Sequence, residues 1–369
     1  MKQKDFDIFS KQIGGVSRRG FLKLCGTLAA SMGLPLSATT KIAEAIVNPK
    51  RPPVIWLSAQ ECTGCTESLL RSTHPTLENL ILDIISLDYH EVLSAPAGHQ
   101  AEATREDAIK QNAGKFLLVV EGAIPVKDKG IYCQIGGRPV VDILKETAAQ
   151  AGAIIAIGSC ASWGGIPSAD PNPTGATPVH KIIKNKPVVN IPGCPPSPYN
   201  FLSTVTFFLT FKKLPELDDQ GRPKFGYGRL IHDDCERRAH FDAGRFATEF
   251  GDENHRKGYC LYKLGCKGPE TYNNCPSILF GDTGALTWPV GTGHPCFGCS
   301  EKGVGFTKPL FSCASLHLVT PPDTYPPLFV EQGKGMTTGA GVAIAAVAGA
   351  AVGAGAVIAN KLGKEEQGK

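Results

Sequence analysis

Five apolar runs recur between residues 53 and 195: Pro53–Ser58, Leu80–Leu87, Phe116–Val120, Ala153–Ile157 and Val188–Ile191. Each has the length of a strand buried on both faces. Segments of helical character lie between them, notably Ala101–Gln111 and Pro139–Ala151. Strands alternating with helices predict an α/β fold with a doubly wound parallel sheet. Over residues 225–300 the pattern changes. That stretch is rich in Gly and Pro and lacks a regular apolar period. It predicts an irregular domain that needs metals to organise it, because it cannot bury a good core unaided.

Both ends of the chain read as segments apart from this fold. Ser17-Arg18-Arg19-Gly20-Phe21-Leu22-Lys23, a mild apolar stretch from Leu24 to Ala38, and Ala43-Glu44-Ala45 are the parts of a twin-arginine export signal. Residues 1–45 are therefore expected to be a cleaved leader, with the mature chain starting near Ile46; the plainer alternative is a basic amphipathic helix of the mature protein. The twin-arginine route serves proteins that fold before crossing the membrane, often around a cofactor, so a metal group acquired in the cytoplasm is expected. At the other end, Thr338 to Ala359 carries no charge over 22 residues. At about 1.5 Å per residue it reaches roughly 33 Å, enough to span a bilayer. Ten of the 22 are Ala and five are Gly, so insertion is weak by hydropathy alone and a soluble Ala/Gly tail is the alternative. Gly349 and Gly353 offer a small-xxx-small face for helix packing. Lys361, Lys364 and Lys369 lie beyond the run. The positive-inside rule keeps them cytoplasmic and the globular part on the periplasmic side of the inner membrane.

Composition narrows the function. With 42% apolar residues the 369-residue chain has material for a core and is not disordered. The formal charge of +4 invites a nucleic-acid partner, but residues 1–45 hold seven Lys/Arg against three Asp/Glu, leaving 31 of each sign elsewhere. A neutral body has no general attraction for phosphates, so nucleic acid is excluded.

Thirteen cysteines carry the chemistry. Cys25 belongs to the leader. A disulfide framework is a weak reading for a large chain with clustered cysteines. In a doubly wound sheet, ligands bind at the carboxyl edge of the strands. Cys62 and Cys65 follow the first run, Cys160 the fourth and Cys194 the fifth, so three loops at one edge present four thiolates to a common point. Such a set holds either a [4Fe–4S] cluster or a tetrahedral zinc, and spacing does not separate the two. Further on, His232-x2-Cys235 and Cys260-x5-Cys266 supply one His and three Cys, while Cys275 and Cys296-x2-Cys299 supply three more Cys. Zinc remains the alternative throughout. Three multi-Cys sites, one with only three ligands, fit electron transfer better, because a three-Cys site suits a cluster lacking one iron and leaves structural zinc a vacancy. Cys133 and Cys313 read as structural.

Glu61-Cys62-Thr63-Gly64-Cys65-Thr66-Glu67, Gly158-Ser159-Cys160-Ala161-Ser162-Trp163-Gly164-Gly165, Ile191-Pro192-Gly193-Cys194-Pro195-Pro196 and His232-Asp233-Asp234-Cys235 belong together with three later segments. These are Leu264-Gly265-Cys266-Lys267-Gly268-Pro269, Trp288-Pro289-Val290 and Gly293-His294-Pro295-Cys296. With them the sequence resembles the small subunit of a membrane-bound, uptake-type [NiFe] hydrogenase over nearly its whole length. The resemblance implies a leader over 1–45, a flavodoxin-like domain over 46–215, an irregular iron–sulfur domain over 216–330, and a transmembrane anchor with cytoplasmic tail over 331–369. It implies a proximal [4Fe–4S] cluster on Cys62, Cys65, Cys160 and Cys194. A distal [4Fe–4S] cluster falls on His232, Cys235, Cys260 and Cys266, and a medial [3Fe–4S] cluster on Cys275, Cys296 and Cys299. Pro289 matches the proline that takes the place of a fourth medial ligand. Gly64 and Gly165 stand where oxygen-tolerant members carry two extra thiols, which implies an ordinary cubane and no special oxygen tolerance.

The implied work is conduction. Hydrogen is split at a nickel–iron centre in a large-subunit partner, and electrons pass through the three clusters to a membrane acceptor. That acceptor is a cytochrome b, a ferredoxin-like subunit or another route to quinone. No CxxC pair is left over for nickel, so catalytic residues are expected in the partner and none here. Two rivals are an exported zinc-stabilised binding protein and an iron–sulfur subunit of another quinone-linked oxidoreductase. Glu61 and Glu67 read as polar loop positions, Trp163, Trp288 and His294 as packing groups around clusters, and Gly136-Gly137 as a turn.

Overall fold

Five strands form the central sheet of this computed structural model, which describes residues 18–46, 51–73, 80–279, 287–303 and 307–316. They are β1 (Pro53–Ser58), β2 (Ser86–His90), β3 (Leu117–Glu121), β4 (Ala153–Ile157) and β5 (Val188–Ile191). The spatial order is β2-β1-β3-β4-β5 and every pairing is parallel. This is the doubly wound order whose switch point lies between β1 and β3. The strands alternate sides, as a period of two requires. Val54, Trp56, Leu117, Val119, Ile155 and Ile191 enter one core, and Ile55, Leu57, Leu118, Val120, Ile154 and Ala156 enter the other.

Helices cover both faces. α1 (Arg18–Ser31), α2 (Ala38–Ile46), α3 (Gly64–Leu70), α4 (Gly98–Gln111), α5 (Val140–Gln150), α6 (Gly158–Trp163), α7 (Val179–Ile182) and α8 (Pro198–Phe211) precede a run of short turns and helices. α5 buries Val140, Val141, Ile143, Leu144 and Ala148, a stripe at helical spacing that seats it on the second core. Beyond α8 the described chain has only isolated bridges and short helices, around a small core of Ile231, Ala247, Leu261, Leu264, Trp288 and Val290 with Cys275 and Cys296.

Two elements differ from the sequence expectation. Residues Leu80–Ile84 make a π-helical turn and the strand starts only at Ser86. Leu80 and Ile84, four apart, both bury into the first core, and a short apolar run carries no period that tells a helical turn from a strand. The second lies in the segment expected to be a leader. Phe21, Cys25, Leu28 and Met32 form a helical stripe that joins Ile42 in the core shared with Phe201, Leu202 and Val205 of α8. Residues 18–46 thus pack on the fold here. Among the described residues no helix is long and apolar enough to cross a membrane. The run Thr338–Ala359, and with it the expected anchor, lies outside the described residues.

Candidate functional site: three groups of thiols

Cys62 lies in the loop after β1, and Cys65 in the first turn of α3. Cys160 sits in α6, directly after β4, and Cys194 follows β5. All four stand at the carboxyl edge of the sheet, as the strand pattern implied. Burial pushes the Cys65 thiol well up, and Glu121, Cys160, Cys194 and Cys62 add to the rise through their charge. Burial likewise pushes Cys160 up to about 11, with Cys194, Cys62 and Glu121 contributing. These mutual effects show that the four groups converge. They cannot all ionise beside one another unless a cation takes their charge.

The backbone closes tightly around this set. Gly158 has φ +82°, and a Cβ there would stand 2.4 Å from Cys65 Sγ. Gly165 has φ +51°, and a Cβ there would stand 2.6 Å from Cys160 Sγ. Neither position accepts a side chain. Glu121, at the end of β3, binds the start of α3. Its carboxylate accepts from the Cys65 and Thr66 N–H groups at 3.0 and 3.2 Å, from Thr66 Oγ1 at 2.5 Å and from Trp56 Nε1 at 3.1 Å. His90 stacks on Trp56 and lies 3.2 Å from Thr66 Oγ1, and burial lowers its pKa to about 4, which keeps the imidazole neutral.

The second group, Cys275, Cys296 and Cys299, lines a cavity of about 710 Å³ whose wall also includes Cys194 of the first group and Pro289. Cys275 and Cys296 are buried. Trp288 lines the same space and donates to Glu236 Oε2 at 3.2 Å; His294 is also on the wall, with Nδ1 2.8 Å from the Pro295 carbonyl.

The third group, His232, Cys235, Cys260 and Cys266, surrounds a small void closed by Ile231, Tyr262 and Val290. His232 Nε2 is buried with no hydrogen-bond partner. Burial, then Arg238, lowers the His232 pKa to about 4, so at neutral pH the ring is uncharged and offers a lone pair. Burial pushes Cys235 up to about 11 and Cys260 up to about 12, with Cys266 adding in each case. A buried imidazole nitrogen with no hydrogen-bond partner among three thiols is costly as mere packing and suits a set of metal ligands.

Thiolates with one imidazole are donors that iron–sulfur clusters and zinc both accept.

The groups also touch one another. Cys194 of the first group stands on the wall of the cavity that Cys275, Cys296 and Cys299 line. Lys267 N donates to the Cys296 carbonyl at 2.5 Å. From α6, Ser159 Oγ donates to the Cys299 carbonyl and Trp163 Nε1 donates to the Ser300 carbonyl at 3.0 Å. Trp163, read as a packing group, is seen to hold the Ser300 carbonyl, whereas no sequence signal sets Glu121 or Ser159 apart as a site. Glu61 accepts from the Thr63 N–H as a polar loop residue, and Glu67 is exposed near Arg71. Cys133 is half-buried beside the second core, and Cys313 is exposed.

Comparison with known proteins finds relatives over most of the chain. Residues 62–208 match the family described as NADH ubiquinone oxidoreductase, 20 Kd subunit, and residues 227–312 match the family of C-terminal regions of NiFe/NiFeSe hydrogenase small subunits. The chain is 54% identical over 353 residues to the hydrogenase-2 small chain of Escherichia coli K12, covering 96% of this chain and 95% of that one. It is 49% identical to the uptake hydrogenase small subunit of Azotobacter vinelandii, covering 81% and 82% respectively. Among solved structures, the [NiFeSe] hydrogenase of Desulfovibrio vulgaris Hildenborough superposes with a TM-score of 0.67 at 38% identity, covering 72% of this chain and 99% of that one.

Proposed function

The chain belongs to the small subunits of [NiFe] hydrogenases, electron-transferring partners of a catalytic large subunit, and from that premise we propose how its residues divide the work. Cys62, Cys65, Cys160 and Cys194 hold a proximal [4Fe–4S] cluster that faces the large subunit. Cys275, Cys296 and Cys299 hold a medial [3Fe–4S] cluster. His232, Cys235, Cys260 and Cys266 hold a distal [4Fe–4S] cluster. Bound clusters of these types supply one-electron storage at each stop. The observation that carries the reading is the succession of three donor groups: Cys194 of the first stands on the wall of the cavity lined by the second, and Lys267, next to Cys266 of the third, donates to the carbonyl of Cys296 in the second.

The remaining residues do the protein's part. Glu121 fixes the start of α3 and with it Cys65. Gly158 and Gly165 let the backbone close on sulfur, and leave no room at residue 165 for a further thiol, which supports a four-thiol proximal set. Pro289 on the medial wall offers no ligand. His232 gives the distal site a neutral donor in place of a thiolate, which raises its potential relative to an all-thiolate site. The twin-arginine leader and the charge-free run Thr338–Ala359 support delivery to the periplasmic face of the inner membrane and anchorage there. Electrons then leave to a cytochrome b, a ferredoxin-like subunit or another quinone-linked acceptor.

The test is His232→Cys in the heterodimer. The fold and iron content are expected to persist while hydrogen-dependent dye reduction slows, because an added negative charge lowers the distal potential. Unchanged dye reduction rejects the exit role of this site.

A further inference from the structure

Between the first two thiol groups the contact is more than a shared wall. Ser159 precedes the proximal donor Cys160, and its N–H donates to the carbonyl of Gly193 at 2.9 Å. The Gly193 N–H returns to Ser159 Oγ at 3.0 Å, and Gly193 precedes the proximal donor Cys194. The same hydroxyl then donates to the carbonyl of Cys299, a medial donor. One side chain therefore ties two loops of the first group to one loop of the second. It does so beside the cavity whose wall Cys194 and Cys299 share. The next two residues of the medial loop are fixed separately: the Ser300 carbonyl by Trp163 Nε1, and Glu301 by Arg222 Nη1 at 2.8 Å.

Resting on the cluster reading above, we infer that Ser159 is a positioning residue for the proximal-to-medial electron step: its hydroxyl holds the Gly193 N–H and the Cys299 carbonyl in the register that couples the two sites. One electron crosses at this point, oxidising the proximal side by one and reducing the medial side by one, with no bond broken and no proton moved. Tunnelling between the sites depends on that packed contact. A hydroxyl that both accepts from one loop and donates to the other holds the contact from both sides. At the medial-to-distal contact Lys267 N donates to the Cys296 carbonyl, and Thr271 Oγ1 donates to the Lys267 carbonyl at 2.6 Å and lies 3.9 Å from Cys296 Sγ. Ser159 is the side chain that bridges the first two groups, so coupling between them can be altered there without removing a donor.

The experiment uses the intact heterodimer and freezes samples at intervals after hydrogen is admitted. In Ser159→Ala, iron content and hydrogen–deuterium exchange, which needs only the large subunit's centre, are expected to match wild type. Loss of the oxidised medial-site EPR signal should become several-fold slower, magnetic interaction between the two sites should weaken, and Ser159→Thr should restore both. Trp163→Phe, which frees the Ser300 carbonyl but keeps the hydroxyl bridge, should stay near the wild-type rate. An unchanged rate in Ser159→Ala with full iron overturns the inference, and so does equal slowing in Trp163→Phe. If Ser159→Ala loses medial iron, Ser159→Thr decides: full iron with the wild-type rate supports the inference, and any other result overturns it. Zinc instead of iron in the wild-type protein would defeat the cluster reading itself, which is a separate outcome.

Discussion

Glu121 is nearly fully buried, yet four donors from three residues converge on its carboxylate. Two of them are the N–H groups at the start of α3, where a negative charge is favoured by the helix dipole. Glu121→Ala would leave the Trp56 indole and two peptide N–H groups unpaired in the interior. Each unsatisfied group costs on the order of 1–3 kcal/mol, so a loss of about 3 kcal/mol is expected in denaturant unfolding of the metal-free chain. Glu121→Gln keeps an acceptor and should lose less. A loss within about 0.5 kcal/mol in Glu121→Ala would contradict this anchoring role. Nothing in the linear sequence marks Glu121, because its partners Cys65 and Thr66 lie 56 and 55 residues earlier. The cysteines themselves were legible, since their spacing is chemical and survives without a fold. Ser159 was visible only as part of a motif, because its partner Cys299 lies 140 residues away.

At the level of elements, four of the five strands lie where the apolar runs place them, within a residue at either end. Parallel strands buried on both faces announce themselves by unbroken hydrophobicity. β2 does not, because it sits at the sheet edge, is half-exposed at Ser86, Leu87 and Asp88, and follows an apolar turn. α6 shows how an element can be set by the site it serves. It is six residues long, and Gly164 and Gly165 after it both take positive φ. At Gly165 a Cβ would also meet the Cys160 Cα at 2.8 Å. Gly165→Ala is therefore expected to displace Cys160 and to lower iron content per chain at the proximal site, measured by metal analysis and EPR. The same substitution at Gly137, where a Cβ meets nothing within 4 Å, is the control for backbone strain alone. Full proximal iron in Gly165→Ala would show that the turn yields more readily than its contacts indicate.

For the molecule as a whole, the sheet topology explains why four cysteines scattered over more than a hundred residues meet at one edge. That meeting could be read from strand order and loop position. The way the irregular region seats on that edge could not. It depends on Arg222, buried between the rings of Tyr227 and Tyr272 and paired to both Asp218 and Glu301, together with Ser159 and Trp163. Such polar seams join residues far apart in sequence and leave no period behind. The packing of residues 18–46 on α8 was also illegible, since an export leader and an amphipathic core helix share the same apolar stripe. What unites these levels is a single arrangement: three donor groups in file, each in contact with the next, attached to a catalytic partner. The most direct measurement is iron, acid-labile sulfide and zinc analysis of the anaerobically purified heterodimer, with low-temperature EPR of the oxidised protein. The expected result is iron and sulfide sufficient for two [4Fe–4S] clusters and one [3Fe–4S] cluster in this chain, with the [3Fe–4S] signal visible on oxidation. Colourless protein carrying zinc at these thiols would contradict it.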